Sequence, residues 1–196
     1  MLATAHAACL IGVEAYPVQV EVRLGEGLPG FDIVGLPERG VRESRIRVRA
    51  ALASIGFALP PRHLVLNLAP GDVPKTGAGL DLAIAASILA ACEGVSPEQL
   101  ASTLLVGELS LSGELRPVRG VLALLRSAKR AGLAHAIIPE GNRHEAMLVK
   151  GMSIHYAPHG GAGRSGQPAA HLPPLFLRLL LGVGVELLVQ KLLHLC

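Results

Sequence analysis

The sequence predicts an α+β domain built on a mixed sheet, and three observations carry that expectation. Thr4–Gly12 and Tyr16–Leu24 are β-rich, and Val18, Val20 and Val22 alternate with Gln19, Glu21 and Arg23. That is the period of a half-buried strand, so the chain opens on an antiparallel pair. Beyond residue 37, strand-like apolar runs alternate with helix-like runs, the pattern of helices packed on a sheet. Finally, 51% of the 196 residues are hydrophobic while only 3% are aromatic and none is Trp, so Ala, Leu, Val and Ile must fill the core.

Taken in order, Gly25-Glu-Gly-Leu-Pro-Gly30 satisfies the letter of Gly-x-Gly-x-x-Gly. A dinucleotide site needs a helix directly after it, and Phe31–Val34 reads as a strand, which excludes that use. A helix starts at Pro37 or Glu38 and runs to about Ile55, stopped by Gly56. Val41, Ser44, Val48, Ala51, Leu52 and Ile55 share its core-facing side. Arg42, Arg45 and Arg49 form a neighbouring stripe with two readings. One is a solvated face partly compensated by Glu38 and Glu43; the other is a docking surface for nucleic-acid phosphates or an acidic partner domain.

His63–Leu68 is the next strand, and Leu80–Ala91 is so apolar that it must be a helix covered on both sides. Glu93–Leu100 reads as a turn and short helix, with Ser96 as N-cap and Pro97 in the first turn. Leu104–Val106 is a buried strand and Glu108–Arg116 a hairpin with Ser112-Gly113 at its tip. Val121–Ala131 is a helix bearing Arg126, Lys129 and Arg130, and Gly132 ends it. His135–Ile138 is a strand, Asn142–Val149 a short helix, and Met152–Tyr156 closes the sheet.

Between the His63 strand and the apolar helix lies Asn67-Leu-Ala-Pro-Gly-Asp-Val-Pro-Lys-Thr-Gly-Ala-Gly-Leu-Asp81. A Gly-rich loop at a helix N-terminus gathers unpaired N–H groups, so it suits either a phosphate cradle or a nucleophile loop. A P-loop requires Gly, four residues, then Gly-Lys-Ser/Thr; here Pro74 precedes Lys75 and offers no N–H. The loop instead resembles the Pro-Lys-x-Gly-x-Ser loop of Lon-type serine–lysine proteases, through Pro74, Lys75 and Gly77. The likeness continues in Val106–Gly120, Ala131-Gly-Leu and Ile137-Ile-Pro-Glu140. By that resemblance Gly79 stands where the nucleophilic serine belongs and Leu122 where the lysine belongs, so both members of the dyad are absent. Asp81, at the first helical turn, is read as a partner of the helix dipole. A residual hydrolase built from Ser110 or Ser112 with Lys75 is the alternative enzyme reading.

Further motifs extend over nearly all of residues 3–157. Leu28-Pro-Gly-Phe-Asp-Ile-Val-Gly-Leu-Pro37, Val41-Arg-Glu-Ser-Arg45, Val48-Arg-Ala-Ala-Leu52, Asn67-Leu-Ala-Pro70 and Asp81-Leu-Ala-Ile84 resemble the N-terminal, Lon-protease-like (ribosomal-protein-S5-domain-like) domain of the ComM/YifB family, magnesium-chelatase-like AAA+ ATPases. The resemblance implies a catalytically silent module preceding an AAA+ motor that drives DNA branch migration in natural transformation. ATP, Mg and a hexameric ring are then expected only with that motor, no segment of this chain having a P-loop, and this chain is left to bind DNA weakly or to bind partners. A free-standing interaction domain is a further alternative.

The remaining features set the surroundings. Cys9, Cys92 and Cys196 are odd in number and widely spaced, and Met1–Leu10 holds no Lys or Arg, which together point to the cytoplasm. A net charge of +3 permits an acidic partner without demanding one. His155 and His159 are four apart, but Pro158 and the following glycines preclude the helix that a metal pair would need, and no metal site is expected. The folded domain is expected at residues 1–157, a Gly/Pro-rich linker at 158–174, and an apolar, amphipathic helical tail at 175–196, unlike the family and consistent with a truncated or frame-shifted product.

Overall fold

The computed structural model describes residues 2–93 and 100–157. Strands β1 (Leu2–Ile11) and β2 (Glu14–Gly25) pair antiparallel around the Gly12-Val13 turn, with Leu2 opposite Arg23 and Ile11 opposite Glu14. β3 (Gly30–Val34) leads to α1 (Arg39–Ser54), then β4 (His63–Ala69) and α2 (Asp81–Glu93). β5 (Thr103–Leu105) is followed by a two-stranded ribbon of β6 (Glu108–Leu109) and β7 (Leu115–Arg116). α3 (Val121–Arg130), β8 (His135–Pro139), a 3-10 turn (Glu140–Asn142), α4 (Arg143–Ala146) and β9 (Ser153–Ala157) complete the described chain.

The main sheet has seven strands in the order β3-β4-β2-β1-β5-β8-β9. β2 is antiparallel to both of its neighbours, and every other pairing is parallel. It is the expected mixed-sheet α+β fold. Strand alternation divides the core in two. Ala3, Ala5 and Ala7 of β1, Val18, Val20 and Val22 of β2, and Leu64, Leu66 and Leu68 of β4 share one core with α1 and α2. Ala8, Leu104, Val106, Ala136 and Ile138 share the other with Val121, Leu124, Leu125 and Ala128 of α3. Every residue from Leu80 to Ala91 is buried, because α2 lies between α1 and the β1–β2 pair. Its hydroxyl is satisfied in place: Ser87 Oγ donates to the carbonyls of Ala83 and Val20.

Several expectations shift. α1 begins at Arg39, with Glu38 as N-cap, and Ile55 is its C-cap, half-buried and packed against the core. The Asn142–Val149 helix contracts to Arg143–Ala146, because residues 140–142 form the 3-10 turn first. His63 and His135 open strands, as histidines expected at strand edges do, whereas His6, expected at an edge as well, lies in the middle of the central strand β1, where burial lowers its pKa. Ser96, Pro97, His159, the linker and the tail lie outside the described residues. Among the described residues no helix is long and apolar enough to cross a membrane.

Candidate functional site around the 67–81 loop

β4 delivers the chain into the loop, and the loop is strapped to the segment that joins β3 to α1. Lys75 N–H donates to the Leu36 carbonyl at 3.1 Å, and Glu38 N–H donates to the Lys75 carbonyl at 3.0 Å. Thr76 Oγ1 donates to the Leu10 carbonyl at 2.8 Å, which ties the loop to β1 as well. The Lys75 side chain is fully buried, and its Nζ donates back across the loop to the Pro70 carbonyl. Burial pushes the pKa of this amine down, against the opposing attraction of Cys9 and Asp72. Cys9, whose Sγ faces the Pro74 carbonyl, is buried too, and its thiol is pushed up. Lys75 therefore ties the loop together from inside.

Asp81 has a larger part than neutralising a helix dipole. It is fully buried and accepts two hydrogen bonds from Arg47, from Nε at 2.7 Å and Nη2 at 3.0 Å, and a third from Leu109 N–H at 3.1 Å. Arg47 Nη2 also donates to the Gly40 carbonyl and Ser44 Oγ. One ion pair thus fastens α1, the start of α2 and the β6–β7 ribbon together, and the bond to Asp81 holds the Arg47 pKa above its ordinary value. Arg47 escaped the sequence reading because it sits between the stripe arginines. The available signal was Asp81 itself, an acid that opens an apolar run, which demands a buried cation.

The loop also lines a cleft of about 400 Å³, with Cys9, Thr76, Gly79, Glu108, Val118 and Arg119 in its walls. A Cβ at Gly79 would meet Val118 Cγ1 at 3.6 Å, an ordinary contact, so the position has room for a small side chain. Leu122 is not in this cleft: it lines a different groove, and its N–H donates to Glu145 Oε1 at 2.9 Å. Ser110 Oγ pairs with Ser112 Oγ at 2.8 Å and accepts Glu114 N–H at 3.0 Å, while Lys75 Nζ is spent on Pro70. The two serines are brought together with each other and not with the lysine.

Arg42, Arg45 and Arg49 are all exposed on α1. Arg42 Nε donates to the Pro37 carbonyl at 2.9 Å, and Glu43 is engaged by Arg39 and Arg47 rather than by the stripe. Arg45 and Arg49 border a surface depression of about 520 Å³ whose other walls are Phe31, Ile46, Ala50 and Ala53. The stripe is therefore a mixed apolar and cationic surface.

With this geometry in hand, comparison with known proteins places the chain. The family model for subunit ChlI of Mg-chelatase matches residues 20–142, more than half of the chain. The chain belongs to this family. Among curated relatives of this Mg-chelatase-like chain, the uncharacterized protein YifB of Escherichia coli is 40% identical over 158 residues, covering 81% of this chain and 31% of its own length. The competence protein ComM of Haemophilus influenzae is 40% identical over 156 residues, 80% of this chain and 30% of ComM. Lon protease 2 of Hydrogenovibrio crunogenus is 37% identical over 101 residues, 48% of this chain and 11% of that protease. The chain thus spans about a third of the length of its ComM and YifB relatives.

Proposed function

We propose that this chain is a catalytically silent, Lon-like binding and regulatory module of a ComM/YifB-type AAA+ protein, whose task is to position the motor on DNA or on protein partners. The observation that carries this reading is the fate of the dyad positions. Gly79 has no nucleophile to offer, and Leu122 lies in another groove with no amine to accept a proton. ATP, Mg and ring assembly belong, in this reading, to an ATPase module that supplies the P-loop. The exposed arginines Arg42, Arg45 and Arg49 are the proposed contact toward DNA or an acidic partner.

Two measurements test it. Unstructured casein should survive incubation with the chain and with its Gly79→Ser variant, since a serine there still lacks an amine to activate it. Time-dependent casein fragments from either protein would overturn the silent-module reading. Calorimetry with ATP should show no binding at micromolar ligand, because no segment wraps a triphosphate with backbone amides and a lysine in the required order. A second reading, a free-standing interaction domain, is favoured by one feature: the depression beside Arg45 and Arg49 has the apolar floor of a protein-docking surface.

A further inference from the structure

A groove of about 870 Å³ lies away from the 67–81 loop, on the face of the sheet covered by α3. One wall is the β1–β2 turn, Val13 to Tyr16; the second is the flank of α3; the third is the segment Leu148 to Lys150 beyond α4. Four cations line it, Arg126, Lys129, Arg130 and Lys150, against one carboxylate, Glu14, which accepts the Tyr16 hydroxyl at 2.9 Å. Arg126, Lys129, Arg130 and Lys150 are all exposed.

The ordinary explanation covers only half of this. Lys129 and Arg130 are in the last turn of α3, where cations complement the helix dipole. Arg126 is a turn earlier and Lys150 is on another segment, so the dipole accounts for neither. Three exposed arginines elsewhere in the described chain are held by carboxylates, in Arg39–Glu43, Arg116–Glu108 and Arg143–Glu140, whereas Arg42, Arg45 and Arg49 on α1 are not. Among the described residues, none of the four groove cations is in an ion pair. The walls are also fixed in advance. Ser127 Oγ donates to the Ala15 carbonyl at 3.0 Å, pinning α3 to β2, and Lys129 Nζ donates to the Lys150 carbonyl at 2.6 Å, pinning α3 to the third wall.

We infer that this groove holds the phosphodiester backbone of a single nucleic-acid strand. Arg126 and Arg130 are one helical turn apart, about 6 Å along the axis, so the cations form a row that suits a chain of anions better than a single one. Guanidinium groups match phosphate oxygens bidentately, and two arginines and two lysines along one groove offer charge to a backbone of repeated phosphates. A flexible single strand can follow that row into the groove, whereas a duplex is a stiff rod. The inference rests on the nucleic-acid arm of the proposed function but not on the arginine stripe, which lies with α1 on the opposite face of the sheet.

The test uses the full 196-residue chain, a fluorescent oligothymidylate, a duplex of matched length and polyaspartate, titrated across salt concentrations. One variant carries Arg126→Gln, Arg130→Gln and Lys150→Gln, sparing Lys129 because its amine holds two walls together. The other carries Arg42→Gln, Arg45→Gln and Arg49→Gln. The expected result is single-strand binding stronger than duplex binding, with the slope of log affinity against log salt flattened by about two units in the groove variant. The α1 variant should keep the wild-type slope. No single-strand binding, an unchanged slope in the groove variant, or equal competition by polyaspartate would overturn the inference. A slope lost only in the α1 variant would overturn it too, while leaving the proposed function standing. Matching circular dichroism of all three proteins separates lost contacts from lost folding.

Discussion

At the scale of single residues, the site depends on two buried charges that face inward. Arg47 is mostly buried and Asp81 wholly so. Removing one partner strands the other, and Arg47→Ala is expected to cost about 3–5 kcal/mol in urea denaturation. Replacing both, Arg47→Met with Asp81→Asn, keeps an acceptor for Leu109 N–H and should recover most of that loss. A double variant as unstable as the single one would show that the charge itself is required. Lys75 gives a pH dependence. Its pKa is lowered on folding from the ordinary 10.5, so the unfolded chain binds more protons in the window just below that value, and stability rises with pH there. The deficit is complete below the folded pKa and vanishes above 10.5. Lys75→Met, which fills the same space without a charge, should therefore gain on the wild type at neutral pH, and the gap should close as pH climbs toward 10.5. These residues were half legible in the sequence. Lys75 and Asp81 stood out as polar groups beside apolar runs, whereas Arg47 was one arginine among several until its partner, 34 residues away, was known.

At the scale of elements, alternation and end signals placed the described strands and helices within a residue or two, since Val18, Val20 and Val22 or Gly132 act locally; the exception is the expected Asn142–Val149 helix, which ends three residues early at Ala146. What they left out was the fit between elements. The link from β3 to α1 passes directly over β4 at Gly35, whose φ is +93°, and an added Cβ would collide with the Leu68 carbonyl oxygen. Gly56 also has a positive φ, +80°, but open space around it. Gly56→Ala should therefore cost about 1 kcal/mol from backbone strain alone, and Gly35→Ala about 3 kcal/mol or more as steric overlap adds to strain. Equal losses for the two variants in thermal or urea melts would mean that the connection yields easily. The hairpin at Glu108–Arg116 shows the same division: its tip was readable from Ser112-Gly113, but its attachment to Asp81 through Leu109 was not.

At the scale of the whole molecule, the family motifs marked the loop and the positions of Gly79 and Leu122, but not the basic groove, because its cations come from α3 and from Lys150, far apart in sequence and unremarkable in either place. Sheet order was equally hidden. β1, the first strand made, is central, with β2 on one side and β5 on the other, joined in register at His6 and Leu104. That arrangement has a consequence during synthesis. At about 5–20 residues per second, a ribosome takes roughly 5–20 s to travel from one member of that pair to the other. Throughout this interval the nascent half-sheet β3-β4-β2-β1 ends on an unpaired strand. An edge of Val and Ile would invite pairing with neighbouring chains, but β1 offers Ala3, Ala5, Ala7 and Ala8, which have low β-propensity and little surface to bury. The small residues that fit beneath the helices on both faces of the finished sheet also make the half-built sheet a poor template for aggregation while it waits for its second half.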